Sequence, residues 1–297
     1  MARKSNIVRL SGSKKRPVWS GNVLSQKYKK FSDEGRIGES WETSLTEAAA
    51  VYGDTQTVFG EYLASVVAKK SFPLVKLIDA GRSLSLQLHP DEITAAKLGD
   101  RPKNEFWYVL CAEEGAQIIY GTKDGIGEDE IRKKIKDGTV LDVCEKVKVS
   151  AGDCFMIPSG MLHALGAGIT VIEIQDNEGD TYRVLDLSGG GREVHTEKSC
   201  RAVRAMTKAN ADKLCRTENP PCLPGNILAS RDGFAVSLKK CAAGERLALP
   251  LSCVYAFCAE GSVTANGETV IAGESVFFPD ENTELVSDEE STVIFVR

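Results

Sequence analysis

Leu84-Ser85-Leu86-Gln87-Leu88-His89-Pro90 decides how this chain is read. Apolar and polar residues alternate from Leu84 to His89, the period of a half-buried strand. Ser85, Gln87 and His89 therefore share one face. Leu84, Leu86 and Leu88 share the other, where a core is expected. Gln87 and His89 are potential metal ligands aimed into the same space. Pro90 ends the strand, because it has no amide to give to a ladder. Upstream, Phe72 to Asp79 (FPLVKLID) reads as a buried strand and Ala80-Gly81-Arg82 as a turn.

Working outward, Asp91 to Leu98 predicts a short helix opened by acidic residues. Glu105 to Cys111 and Ala116 to Tyr120 predict two strands of a hairpin across Glu113-Glu114-Gly115. Glu128 to Lys136 runs from acidic to basic with Gly138 just beyond it, which is helical punctuation. Ala151 to Gly168 (AGDCFMIPSGMLHALGAG) is the second informative stretch. Gly152-Asp153 turns, Cys154 to Ile157 is a short strand, and Pro158-Ser159-Gly160 turns again to deliver His163. Ile169 to Ile174 is a strand, and a polar loop then leads to Arg183. Gly189-Gly190-Gly191 precedes Arg192, Glu193 and His195. Nearer the N-terminus, residues 17–45 have no clean period, and Trp19, Glu39 and Trp41 stand out among Gly and Ser. Gln56 to Lys70 predicts a helix on a sheet edge.

An echo appears late in the chain. Ala272-Gly273-Glu274-Ser275-Val276-Phe277-Phe278-Pro279 repeats the frame of Ala151-Gly152-Asp153-Cys154-Phe155-Met156-Ile157-Pro158, with five residues between Gly and Pro in both. The second copy has no histidine and reads as a repeated lobe that kept a fold and lost a site. Residues 205–225 carry three prolines and few large apolar residues, as a linker does. The expected organisation is an N-terminal lobe over 1–204 with accessory helices, a linker over 205–225, and a degenerate β lobe over 226–297. Many short strands with Gly/Pro turns make the fold mainly β: two jelly-roll (double-stranded β-helix) lobes with a few helices packed around them.

The 297 residues suffice for one large domain or two packed lobes. With 42% hydrophobic and 27% charged residues, the composition is that of a soluble globular protein. The formal net charge of −5 argues against a nucleic-acid partner. No run is long and apolar enough for a membrane span, and the first 16 residues lack the apolar region of a secretory signal. Nine cysteines without CxxC spacing read as reduced thiols, which places the protein in the cytoplasm. Oligomeric state is not readable.

The three histidines are His89, His163 and His195. Gly81, five residues, Gln87, one residue, His89, then Glu105 at a strand start match in outline the first half of the cupin metal motif. Gly152, five residues, Pro158, one residue, Gly160, two residues, His163 match the second half without a gap. In a jelly-roll barrel Gln87, His89, Glu105 and His163 would converge in one mouth. Two imidazoles, one carboxylate and one amide oxygen are not a thiolate-rich structural zinc site, and they leave room for water or substrate. A dioxygenase would usually place His where Gln87 stands.

The chain resembles the type I mannose-6-phosphate isomerases of the short bacterial kind. The resemblance rests on Gly38-Glu39-Ser40-Trp41-Glu42, Phe72 to Lys76, Leu84 to Asp91, Lys103-Asn104-Glu105-Phe106-Trp107-Tyr108, Pro158 to Leu165 and Thr181 to Asp186. It covers roughly residues 17–200 in family order. It implies one zinc ion per chain on Gln87, His89, Glu105 and His163, and interconversion of mannose 6-phosphate and fructose 6-phosphate through a cis-enediol. It also implies catalytic roles for Arg183 and Lys103 and pocket-shaping roles for Trp19 and Glu39. Ser85, on the ligand face, is a candidate donor to the phosphate. His195 falls in an Arg-Glu-x-His piece also seen in the family. One departure stands out: the family's Asp four residues before the arginine is here Gly179, with Asp180 one position late. That shift motivates a second reading, a non-catalytic sugar-phosphate-binding or regulatory protein on the same scaffold. In either case the partner is a small sugar phosphate.

Overall fold

The computed structural model describes residues 7–52, 54–66, 71–177, 179–214 and 222–297. Antiparallel sheets dominate, arranged as two jelly-roll lobes. In the first lobe a six-stranded sheet runs Cys154–Ile157, Glu105–Ala112, Ile169–Gln175, Leu74–Ala80, Glu39–Trp41, Ser13–Lys15. It faces a five-stranded sheet in the order Cys144–Lys148, Gln117–Thr122, His163–Leu165, Leu86–Leu88, Tyr182–Leu185. The second lobe repeats this order: Ser275–Phe278, Val254–Glu260, Ser291–Val296, Phe234–Cys241, Asn226–Arg231. Its facing sheet runs Glu268–Ile271, Ser262–Ala265, Thr283–Ser287, Arg246–Leu249.

The sequence echo is a topological one. Ile157 pairs with Glu105 at one lobe's mouth, and Phe278 pairs with Val254 at the equivalent place in the other. A buried valine thus stands where the first lobe has its carboxylate, and Leu249, Val254 and Phe278 fill that interior with apolar packing.

The continuous apolar runs have a physical reason. Strand Leu74–Ala80 is buried at every position, because its sheet is covered on both faces. Val75 and Leu77 join the core between the lobes, together with Phe106, Ile172, Tyr255 and Phe277. Ile78 and Ala80 point the other way, into the interior of the first lobe. Between the lobes Phe277 meets Phe59 and Phe72 edge-on, with centroids 5.3 and 5.5 Å away. Glu42, wholly buried, accepts from Lys30 at 2.9 Å and from Ser275 across the lobe boundary at 2.6 Å.

Several sequence expectations are corrected. Glu105–Ala112 and Gln117–Thr122 do not form a hairpin. Both edges of the first strand are taken by Cys154–Ile157 and Ile169–Gln175, so the chain crosses at Glu113–Gly115 to the facing sheet. Trp107 and Ile118 then join one interior cluster from the two facing sheets. The expected helix from Gln56 begins only at Phe59. Thr55–Val58, rich in β-branched residues, is a strand paired with Ala49–Tyr52. The expected helix's last residues, 67–70, lie outside the described residues. Regular strand covers only Leu86–Leu88, so Leu84 leaves the leucine face and packs with Trp19 and Trp107. Leu86 and Leu88 pack beneath helix Glu128–Lys136 instead.

Two structural facts bear on the lobe boundaries. Strands Val8–Ser11, Ala49–Tyr52 and Thr55–Val58, near the N-terminus, extend the second lobe's large sheet. Residues 205–225 contain a short helix, Lys208–Asp212, and part of that expected linker, 215–221, lies outside the described residues.

Candidate active site and metal centre

His89 leaves the strand just before Pro90, and Asp91 then caps helix Glu92–Leu98 by accepting from the Thr94 amide at 2.7 Å. The Gly160 amide donates to the His89 carbonyl at 2.7 Å, tying the two histidine-bearing segments together. Gly160 has φ +85°, a left-handed turn that suits glycine, and it sends the chain into strand His163–Leu165. In register, Gln87 lies opposite His163 on one side and Arg183 on the other. Glu105 opens its strand in the facing sheet.

His89, Glu105 and His163 are all buried, and their candidate ligand atoms lie within 4.8 Å of one another. His89 Nε2 is 3.1 Å from Glu105 Oε1, and His163 Nε2 is 3.5 Å from Glu105 Oε2. His89 Nδ1 meets the Asp180 carbonyl at 3.0 Å, and His163 Nδ1 meets the Met161 carbonyl at 2.9 Å. A carbonyl only accepts, so each Nδ1 carries the hydrogen and each Nε2 presents a bare lone pair. Burial lowers both imidazole pKa values, that of His89 to about 4, which keeps the rings neutral near pH 7. Burial opposes charge on Glu105 as well, but the Lys103 ammonium beside it outweighs this and holds its carboxyl well below the usual range.

His89 Nε2, Glu105 Oε2 and His163 Nε2 are buried without a hydrogen-bond partner. Orphaned polar atoms in an interior cost free energy, and three converging ones are what a bound cation would satisfy. The donor chemistry, two neutral imidazoles and one carboxylate, fits a divalent metal with an open position.

Glu105 of this cluster borders a cavity of about 220 Å³. Its walls include Trp19, Glu39, Ser85, Gln87, Lys103 and Arg183; of the other residues singled out above, His89 and His163 reach it only through their contacts with Glu105, and His195 and Asp180 do not line it. Lys103 Nζ is 2.7 Å from Glu105 Oε1 and 3.2 Å from Thr181 Oγ1. Trp19 is buried, with Nε1 unpartnered. The Arg183 side chain donates through Nη1 to the Glu193 carbonyl at 2.7 Å and leaves Nε buried without a partner. Burial, then the neighbouring Arg192, lowers its pKa. His195 stands outside the cavity and holds Arg183 in place: its Nδ1 accepts from the Arg183 amide at 3.1 Å, and its own amide donates to the Arg183 carbonyl at 2.7 Å. Asp180 does not face the cavity. Its carboxylate accepts from the Arg101 amide at 2.8 Å, and its contribution is the carbonyl that orients His89.

The cavity also has walls that sequence reasoning did not single out. Lys76, Trp107, Glu173, Thr181 and Arg192 line it, as does Trp41, which already stood out in the sequence. Lys76 Nζ donates to Glu173 Oε1 at 3.1 Å and to Gln175 Oε1 at 2.6 Å, and the Trp107 indole donates to Glu173 Oε2 at 2.9 Å. Arg192 is held by Asp186 at 2.8 Å. A signal existed for two of these residues. Lys76 and Glu173 are lone charges inside apolar strand runs, and a charge buried there must be paired.

Comparison with known proteins gives one consistent answer. No family model matches the chain. Mannose-6-phosphate isomerase of Streptococcus mutans is 34% identical over 216 residues, covering 65% of this chain and 66% of the relative. Probable mannose-6-phosphate isomerase GmuF of Bacillus subtilis is 33% identical over 219 residues, 67% of this chain and 68% of the relative. These alignments span about two thirds of the relatives' length. The crystal structure of a Bacillus subtilis mannose 6-phosphate isomerase superposes with a TM-score of 0.84 at 24% identity, covering 98% of this chain and 99% of that one. A mannose 6-phosphate isomerase bound with zinc and yttrium has the same fold, with a TM-score of 0.74 at 14% identity and 98% of each chain covered.

Proposed function

Because this chain belongs to the mannose-6-phosphate isomerase family, we propose that its cavity interconverts mannose 6-phosphate and fructose 6-phosphate through a cis-enediol. The observation that carries this reading is a single cavity joining the carboxylate of a buried His-Glu-His cluster to two arginines. Aldose-ketose isomerisation moves one proton between C1 and C2. It needs polarised oxygens at that end of the sugar and an anchor for the phosphate at the other.

Zinc is the proposed metal, held by His89, Glu105 and His163 with Gln87 as the fourth ligand. When bound, it supplies a Lewis acid for the sugar's carbonyl and hydroxyl oxygens. Arg183 and Arg192 grip the phosphate, because a guanidinium presents paired donors to its oxygens. Ser85 adds a hydroxyl donor. Lys103 addresses the reacting end of the sugar beside Glu105. Trp19 and Glu39 shape the mouth, and the unpartnered Trp19 indole is available to a sugar oxygen. Lys76 and Glu173 stiffen the wall beside Glu105, in the same sheet, through a closed buried network. The proposed setting is the cytoplasm.

The test is a coupled isomerase assay on mannose 6-phosphate before chelation, after chelation and after zinc is restored. Activity that disappears and returns is expected. A folded, fully zinc-loaded protein with no activity would replace the isomerase reading with that of a sugar-phosphate-binding protein.

A further inference from the structure

Gly179 stands where the family resemblance places an aspartate, and the structure supplies a steric reason for the glycine. Its backbone is not left-handed, so conformational freedom does not require glycine there. Space does. A Cβ built on Gly179 falls 2.1 Å from Lys103 Cβ, 2.6 Å from Cγ and 2.8 Å from Cδ. The first of these atoms is fixed by the backbone, so rotating the lysine side chain cannot relieve the clash.

Neither segment is free to retreat. The Arg101 amide donates to the Asp180 carboxylate at 2.8 Å, and the Asp180 amide returns a bond to the Arg101 carbonyl at 3.1 Å. On the far side, Ser159 Oγ donates to the Lys103 carbonyl at 2.9 Å. Lys103 is buried, and its stem runs over the bare face of Gly179 to set Nζ between Glu105 Oε1 and Thr181 Oγ1.

We propose that Gly179 is a positioning residue: its lack of a side chain seats Lys103 against the reacting end of the sugar. The proposal rests on the isomerase reading, and its test includes a readout that does not.

Gly179→Ala must push Lys103 aside by about an ångström, the scale of misplacement that costs about 100-fold in rate. The expected result is kcat reduced about 100-fold, KM within about threefold of the parent, and zinc content unchanged. Gly179→Asp, which restores the family residue, is expected to lose at least as much. In a Lys103→Met background Gly179→Ala is expected to lower kcat no further, because its effect is already spent. Amine labelling of Lys103, read by mass spectrometry, is independent of activity. It is expected to be slow in the parent and faster in Gly179→Ala.

Wild-type kcat in Gly179→Ala, or a loss that adds in full to that of Lys103→Met, overturns the proposal. So does unchanged labelling. Faster labelling in a protein without isomerase activity would overturn the isomerase reading and leave the seating of Lys103 intact. If Gly179→Ala alone does not fold, the double variant Lys103→Gly/Gly179→Ala reports instead. Recovery of folded, zinc-loaded protein places the clash at Lys103, and no recovery overturns the assignment.

Discussion

Replacing Lys76 by Met tests whether the buried charges beside Glu105, in the same sheet, are held as one network. The Lys76 side chain is 11% exposed and that of Glu173 4%, with 3.1 Å between Nζ and Oε1. Methionine keeps most of the stem's volume, so little cavity cost enters. What is lost is the cation facing Glu173, which keeps only the Trp107 indole, and the donor to Gln175. Removing one partner of a buried pair costs about 3–5 kcal/mol, because the other charge is stranded. An exposed pair would cost about 1 kcal/mol or less. Urea unfolding separates the two, with the loss read from a lowered midpoint at unchanged m. Lys76→Met/Glu173→Gln should be less destabilised than Lys76→Met alone, since no stranded carboxylate remains. The difference should also depend on pH. Burial disfavours the Lys76 ammonium, but Glu173, Glu39 and Glu105 outweigh it and raise its pKa above the ordinary value. A raised pKa means the contribution is complete below the ordinary lysine pKa of about 10.4 and fades as pH rises through the folded value. A cost under about 1 kcal/mol, or strictly additive single variants, would refute this account of the wall.

Three further outcomes are expected. His163→Ala should stay folded but lose both zinc, read by metal analysis, and isomerase activity; retained zinc and activity would remove His163 from the ligand set. Acidification should destabilise the metal-free protein as pH falls from the ordinary imidazole value of about 6.5 toward about 4. The folded histidines resist protonation while the unfolded ones accept it, so stability is fullest above that window. Urea midpoints from pH 7 to 4 measure this, and a flat profile contradicts it. Arg192→Ala should raise KM for mannose 6-phosphate about tenfold or more with kcat nearly unchanged, as loss of a ground-state phosphate contact does; an equal fall in kcat would move Arg192 to the reacting end.

What the sequence determined by itself was local. The alternation around Gln87 and His89, the Gly-Pro-Gly-His spacing before His163 and the echo at Ala272 each depend on a few consecutive residues, because strand period and turn chemistry act at that range. The resemblance drew on the same short pieces. Strand neighbours lay beyond that range. Glu105–Ala112 and Gln117–Thr122 look like a hairpin from their turn, yet competition from two other strands for the same edges sends them to opposite sheets. The same limit hid the Lys76–Glu173 pair, which meets only because strands 97 residues apart in sequence lie side by side. It hid the steric basis for Gly179 too, since a missing side chain has meaning only beside the Lys103 stem that fills its place. Ligand spacing is written along the chain. Which charge faces which, and where no Cβ fits, is decided when distant segments pack at interior density and every buried polar atom must find a partner.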